Sequence, residues 1–433
     1  MSKKFYIKTY GCQMNVADSE LVTGILEKNN FIYVDNLEEA DVILLNTCSI
    51  REKAENTLRS KIADLKKYKK TKIIGILGCM AERLGKDILQ NFDGVDFCIG
   101  PDEYKNVPNA INEACDKKRN IYTKLSLTET YENFFPKRIH SNGCSAFVSI
   151  MRGCNNMCSY CVVPFTRGRE RSRSNVSILE EISYLSEQNY REVTLLGQNV
   201  NSYRFKDVSF ANLLEQIAEI APNIRIRFMS SHPKDFSRDI IETMAKYQNI
   251  CNHIHLPVQC GSDEVLKRMN RPYTREQYLG KIAEIREMLG EDCGLSTDIL
   301  VGFCGETEKD HEQTLDLMEK IKFDLVYSFA YSERSGTHSA MEMKDNVKHE
   351  IKIRRLNEVI ELQKKHSLER NKKEVGKVLE VLVEGNTKKS DYQWQGRTDS
   401  NKMVIFEAKD MKPGLLVTVK IKDCSSASLL GNV

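Results

Sequence analysis

The chain has no apolar run approaching the roughly 18 residues that a membrane-spanning helix requires. Its start, Met1-Ser2-Lys3-Lys4-Phe5, leads into a strand pattern without a signal-peptide core. The expectation is a cytoplasmic protein with no membrane partner. Net charge is scarce as well: 64 basic against 61 acidic side chains leave +3. Overall charge therefore gives no argument for nucleic acid, and local distribution has to carry that case. Compositional bias is missing too. Hydrophobic content of 41% and charged content of 29% sit near the averages for globular proteins, which excludes wholesale disorder and fibrous repeats. The chain also lacks the small, loop-rich form that disulfides stabilise, so its 14 cysteines read as reduced thiols and metal ligands. With 433 residues it is long enough for about three domains, each with its own core.

What is present is a concentrated cysteine motif. Arg152-Gly153-Cys154-Asn155-Asn156-Met157-Cys158-Ser159-Tyr160-Cys161 has the spacing C-x3-C-x2-C. Three thiolates on a cubane iron–sulfur cluster leave one iron without a protein ligand. Such an iron can bind a substrate or cofactor directly, whereas full ligation largely confines a cluster to electron transfer or structure. Zinc or a chance grouping is the alternative, but structural zinc wants four ligands and no second cysteine pair lies nearby.

The first 115 or so residues read as strand–helix repeats. Phe5–Tyr10, Asp41–Asn46 and Lys72–Leu77 are short β-branched or apolar runs, each followed by a helix-forming stretch. That alternation predicts a parallel sheet with helices on its faces. Each run ends at a cysteine, Cys12, Cys48 or Cys79. The carboxyl ends of parallel strands line one edge of the sheet, so these three thiols are expected to meet there as a second trio. Isolated buried cysteines at strand ends are the alternative.

Polar residues 119–143 read as a linker between the first domain, 1–118, and a second, 144–372. In the second, strand-like runs recur at Ala146–Met151, Glu192–Leu196, Ile224–Phe228, His253–Val258, Leu295–Val301 and Leu325–Phe329. Six β/α units predict an open, partial (β/α)6 barrel with chemistry at the strand carboxyl ends. A charged helix from Lys348 to Lys373 reads as solvated and packed on one face. Alternating runs at Val375–Gly385 and Gly414–Ile421 predict a small β-barrel over 373–433.

The C-x3-C-x2-C spacing resembles the signature of radical S-adenosylmethionine (SAM) enzymes. Across nearly the whole chain the arrangement resembles the methylthiotransferases, with an amino-terminal three-cysteine domain, a radical SAM domain and a carboxyl-terminal TRAM domain. Tyr10-Gly11-Cys12-Gln13-Met14-Asn15, Asn46-Thr47-Cys48-Ser49-Ile50-Arg51-Glu52 and Cys161-Val162-Val163-Pro164-Phe165-Thr166-Arg167-Gly168-Arg169-Glu170 look like the MiaB type, which acts on N6-(dimethylallyl)adenosine at position 37, beside the tRNA anticodon. The resemblance implies two 4Fe-4S clusters: a radical-generating one on Cys154, Cys158 and Cys161, and a sulfur-providing one on Cys12, Cys48 and Cys79. It implies one SAM as methyl donor and a second as radical source. The partners implied are the tRNA anticodon stem-loop, an electron donor, and cluster-assembly or sulfur-carrier proteins, with the enzyme a monomer.

Gln198, Gln259 and Asp298 follow or end barrel strands, where their polar groups are candidates to hold SAM; turn chemistry is the alternative. His232, in Ser230-Ser231-His232-Pro233, reads equally as a structural histidine. Arg167, Arg169, Arg171 and Arg173 are candidates for phosphates flanking the target base, which would have to be splayed out of its stack. Lys388, Lys389, Arg397 and Lys402 of the small barrel are candidates to grip the rest of the RNA. Cys260 and Cys304 stand where the family has serine and proline, and Cys144 is a further thiol expected near the site. Two other readings are a methylthiotransferase acting on a ribosomal-protein aspartate and a non-catalytic iron–sulfur RNA-binding protein.

Overall fold

Apolar side chains in both phases of the pleat set the first domain. β1 (Lys4–Tyr10), β2 (Ile32–Tyr33), β3 (Val42–Thr47), β4 (Ile73–Gly78), β5 (Phe97–Ile99) and β6 (Asn120–Tyr122) form one parallel sheet in the order β2-β1-β3-β4-β5-β6. Successive strand residues point to opposite faces, and a sheet covered on both sides needs both faces apolar. Val42 and Leu44 pack with Phe5, Ile7 and the helix Gln13–Lys28, while Ile43 and Leu45 pack with Ile74, Ile76 and the helix Cys79–Asn91. This computed structural model describes residues 2–49, 60–139, 141–388 and 390–433, without the side chain of Asp391. Ile50, Arg51 and Glu52 of the second quoted motif, and Lys389, lie outside the described residues.

The polar segment expected to be a linker is partly built into the fold. Its first residues form β6, parallel to β5. Tyr131 is buried, and its hydroxyl donates to the Pro101 carbonyl and accepts from the Tyr104 N–H, both at 2.9 Å.

The second domain carries β7 (Ser145–Ser149), β8 (Met151–Arg152), β9 (Arg171–Ser172), β10 (Glu192–Leu196), β11 (Arg204–Phe205), β12 (Val208–Ser209), β13 (Arg225–Phe228), β14 (His253–His255), β15 (Gly294–Val301) and β16 (Leu325–Ala330). Two parallel sheets, β13-β10-β7 and β14-β15-β16, are joined by the parallel bridge Ile226–Ile250. The result is a six-stranded partial barrel, and among the described residues no ladder closes β16 onto β7. The antiparallel pair β8–β9 brackets the cysteine loop. The charged helix spans His349–Lys372, and its buried face is polar. Arg355 pairs with Glu306 at 2.7 Å, and Arg370 with Asp324 at 3.0 Å.

The last domain closes as a barrel, β17 (Val378–Thr387), β18 (Ser390–Thr398), β19 (Met403–Glu407), β20 (Leu416–Cys424) and β21 (Leu429–Asn432), in the order β17-β18-β19-β21-β20. It docks at the amino-terminal ends of the (β/α)6 strands. Arg227 donates to the Thr398 and Asp399 carbonyls at 2.7 and 2.8 Å. Two expectations are corrected at this seam. Lys402 is buried and paired with Asp324 at 2.6 Å, so it offers no charge to RNA. Cys144 is also buried, with its thiol 3.6 Å from the Val383 carbonyl, at the strand ends opposite the cysteine loops. Among the described residues no helix is long and apolar enough to cross a membrane.

Candidate functional site

β1, β3 and β4 are neighbours, with Tyr10, Thr47 and Gly78 in register, so the residues that follow them emerge side by side. Cys12, Cys48 and Cys79 together line a cavity of about 210 Å³. Asn15 ties two of their loops together. Its Oδ1 accepts from the Cys12 N–H at 3.3 Å, and its Nδ2 donates to the Thr47 carbonyl at 3.2 Å. The Cys12 thiol is pulled down to about 6 by its hydrogen bond with Cys48, with Arg167 adding to the effect against the opposing cost of burial. Burial pushes the Cys79 thiol up, although Arg167 donates to its Sγ at 3.2 Å.

The second trio sits on the loop after β8. Cys158 and Cys161 line one cavity of about 370 Å³. Cys161 also lines a second cavity, of about 430 Å³, with Gln259, Asp298, Tyr160 and Phe329. Burial pushes the Cys154 thiol up to about 11 and the Cys161 thiol up to about 12, so thiolates here need a metal or a cation to form. The Arg271 guanidinium lies 3.5 Å from Cys158 Sγ. Gln198 lines the first trio's cavity rather than the one shared by Gln259 and Asp298, and its Oε1 accepts from the Gly153 N–H at 2.5 Å. Gly153 has φ +77°, and a Cβ there would overlap the Arg169 carbonyl. Gly153→Ala is expected to distort the loop that presents all three thiols. Anaerobic reconstitution followed by iron analysis checks this, and full iron loading in the variant would refute it.

Three of the four arginines expected to meet phosphates are corrected to buried structural roles. Arg167 and Arg152 each pair with Asp18 at 2.7 Å, Arg171 pairs with Asp102 at 2.7 Å, and Arg173 pairs with Glu181. Asp18 and Asp102 belong to the first domain, so these pairs fasten it to the second. Arg169 alone is exposed. Asp18, fully buried on the helix Gln13–Lys28, was missed by sequence reading, as was Arg271. The available signal was that Asp18 lies three and four residues beyond Asn15 and Met14, on the same helix face. His232 is buried and held down to about 2 by desolvation, with Arg271 and Lys234 acting in the same direction. Its Nδ1 accepts from the Lys234 N–H at 3.2 Å, a structural use. The Cys260 thiol is buried 3.3 Å from Thr314 Oγ1, and Cys304 is also buried.

Both trios fit iron–sulfur clusters by their chemistry. Thiolates are the ligands that such clusters select, and each trio faces a guanidinium able to offset part of its charge. Among the described residues, no three His, Cys, Asp or Glu side chains converge on a point where one metal ion would sit. Cys12, Cys48, Cys79, Cys158 and Cys161 line cavities instead.

Comparison with known proteins follows the same lines. The chain is 50% identical to tRNA-2-methylthio-N(6)-dimethylallyladenosine synthase of Amoebophilus asiaticus, over all of this chain and 93% of the relative. It is 50% identical to the protein of that name from Bacteroides thetaiotaomicron, covering 99% and 96%. The chain belongs to this synthase family. Three family models match it in turn: Uncharacterized protein family UPF0004 over residues 4–100, the Radical SAM superfamily over 148–318 and the TRAM domain over 372–433. This synthase-family chain is a radical SAM tRNA methylthiotransferase, and an iron–sulfur cluster and SAM belong to its chemistry. Among solved structures it resembles the radical SAM methyltransferase TsrM from Kitasatospora setae, with TM-score 0.61 at 15% identity over 79% of this chain and 78% of that one. It also resembles the cobalamin-dependent SAM radical enzyme OxsB, with TM-score 0.56 at 12% identity over 84% and 56%. At these identities the likeness is one of fold.

Proposed function

We propose that this enzyme places a methylthio group on carbon 2 of N6-(dimethylallyl)adenosine at position 37, beside the tRNA anticodon. One SAM would serve as methyl donor and a second as radical source, with sulfur coming from an auxiliary cluster. The observation that carries the reading is the first trio's cavity. It is also lined by Val163, Thr166 and Arg167, on the helix Val163–Arg167 that begins two residues after Cys161. The two trios are therefore joined by one five-residue helix, which supports a sulfur donor and a radical source working on one base.

Cys154, Cys158 and Cys161 would hold one 4Fe-4S cluster, and Cys12, Cys48 and Cys79 the other. When bound, the clusters and SAM supply the electron, the adenosyl radical, the methyl group and the sulfur. Gln259 and Asp298 line the cavity that Cys161 enters and would orient SAM there. Gln259 is held at φ +70°, with its N–H on the Asp298 carbonyl at 2.9 Å, so the pair is fixed as a unit. Tyr160, Phe329 and Leu356 line the same cavity and would keep water from a reactive radical. Gln198 would keep the cysteine loop in place through Gly153.

Arg169, with Lys388 and Arg397 of the TRAM barrel, would contact phosphates of the stem-loop. An electron donor and cluster-assembly or sulfur-carrier proteins complete the partners of a cytoplasmic monomer. The test is an anaerobic reaction of reconstituted enzyme with SAM, a reductant and an anticodon stem-loop containing N6-(dimethylallyl)adenosine, analysed by nucleoside mass spectrometry. A methylthio mass gain on that nucleoside is expected. SAM cleavage with an unaltered nucleoside would sink the substrate assignment.

A further inference from the structure

Arg271 reaches the trio of Cys154, Cys158 and Cys161 with a charge that its protein neighbours leave unbalanced. It stands in the segment 269–274, between the helices Asp263–Arg268 and Arg275–Leu289, and is 7% exposed. Its Nε donates to the Tyr273 hydroxyl at 2.8 Å, its Nη2 to the Pro257 carbonyl at 2.6 Å and its Nη1 to Cys158 Sγ at 3.5 Å. The first two acceptors bring no charge, since burial pushes the Tyr273 phenol up to about 12. Among the described residues Arg271 forms no ion pair with a carboxylate, and the groups that act on its charge are Tyr273, Tyr160 and Cys158. A buried charge without a counter-charge is costly, so its balance has to come from the thiol side.

Fastening the cysteine loop does not call for that charge. The Ser159 N–H and hydroxyl donate to the Met269 and Arg268 carbonyls at 3.0 and 2.8 Å, and Asn270 Nδ2 donates to the Met157 carbonyl at 2.7 Å. These neutral bonds already hold the residues on either side of Cys158. Other cations near the trio act weakly. Lys267 and Arg268 line a cavity with Cys158, but Lys267 is exposed and Arg268 is paired with Asp310 at 3.7 Å, so solvent and the carboxylate screen them. A carboxylate, Glu170, also reaches the loop; it accepts from the Asn155 N–H at 3.3 Å and works against a thiolate at Cys154. Arg271 is thus the cation that burial leaves unscreened beside this trio.

We propose that Arg271 sets the reduction potential of the cluster held by Cys154, Cys158 and Cys161, raising it by stabilising the reduced form through Cys158. This rests on the reading that those cysteines carry the radical-generating cluster. Net charge and hydrogen bonds to the sulfurs are among the quantities that fix such potentials, and Arg271 supplies both at one sulfur. Reduction takes one electron from a one-electron donor. No proton is taken up and no bond to the protein forms or breaks, so the added negative charge stays on the thiolates and the core, where the guanidinium faces it. Tyr273 and Pro257 fix the plane of the guanidinium, so it does not have to reorganise as the charge arrives. The consequence for the reaction is that a milder electron donor suffices.

The test uses the full chain with Cys12, Cys48 and Cys79 replaced by alanine, so that a single cluster is reconstituted. This parent is titrated anaerobically with dithionite and redox dyes, without SAM, while the reduced cluster is followed by electron paramagnetic resonance. Arg271→Gln is expected to lower the equilibrium constant for reduction about tenfold or more, and tenfold is about 59 mV for one electron. Arg271→Lys, which keeps the charge and loses the planar fork, is expected to recover more than half of that shift. Asn270→Ser, which removes a neutral bond to the same loop, should stay within about twofold of the parent. An unchanged potential in Arg271→Gln at full iron content would overturn this inference alone, as would a lysine variant displaced as far as the glutamine one, or an equal displacement in Asn270→Ser. A parent that takes up no iron would overturn the radical-cluster reading and this inference with it. A further measurement needs no substitution at Arg271. With nitrogen-15 arginine in the parent, the double-resonance spectrum of the reduced cluster should carry an arginine nitrogen coupling, and the absence of that coupling counts against the proposal.

Discussion

Cys12→Ala is expected to abolish the methylthio product while leaving reductive cleavage of SAM intact. Cys12 is only half-buried in its loop, so removing its thiol leaves no large core cavity and the first domain should stay folded. A trio reduced to a pair loses its grip on a cluster, since alanine offers no ligand. The thiol lost is also one pulled down to about 6, because Cys48 and Arg167 favour its thiolate. The other trio has separate supports. Ser159 holds its loop through the Met269 and Arg268 carbonyls, at 3.0 and 2.8 Å, and Arg271 faces Cys158. None of these touches Cys12. The measurement is paired: 5'-deoxyadenosine by chromatography and modified nucleoside by mass spectrometry from one reaction. Undiminished nucleoside product refutes the role given to Cys12. Loss of both products together would mean that the trios do not act separately.

How much of this was legible in the sequence depended on whether a residue's partner was close along the chain. The strands that carry the first trio are short apolar runs, and each was readable to within one or two residues because both faces of the sheet are covered. β5 and β6 were not readable. Phe97-Cys98-Ile99 and Asn120-Ile121-Tyr122 are too short for a period to show, and neighbouring strands supply their stability. The arginine run shows the other limit. Four arginines within seven residues suggested phosphate contacts, but Arg167 closes a helix and Gly168, at φ +69°, turns the chain before Arg169. The carboxylates that neutralise Arg167 and Arg171 lie 149 and 69 residues away, beyond any local pattern. Gln198 was grouped with Gln259 and Asp298 because all three were read at a strand's carboxyl end, although Asp298 lies inside β15. The barrel separates them, since β10 lies in one half-sheet and β14 and β15 in the other.

Asp18→Asn is expected to loosen the join between the first domain and the barrel. Asp18 is fully buried and accepts from Arg152 and Arg167 at 2.7 Å and from the Tyr104 hydroxyl at 3.2 Å. Burial alone would raise its carboxyl, but Arg167 and Arg152 outweigh that and hold it below the ordinary value. Asparagine keeps the shape and strands two guanidinium groups without their anion, which for a buried pair costs about 3–5 kcal/mol. For domains of this size that corresponds to a fall of roughly 10 °C in the transition that includes the interface. Scanning calorimetry of the apo chain reads it directly. The pH dependence gives a second readout with a fixed sign. A carboxyl whose folded pKa is depressed contributes stability above its unfolded value, about 4, and loses that contribution as pH falls through the folded value. The parent should therefore lose stability in acid through this group, and the asparagine variant should lack that component. A variant melting within about 1 °C of the parent, with the same acid profile, would mean that the remaining clamps, Arg171–Asp102 and Arg138 with Glu20 and Glu181, hold the domains together without Asp18.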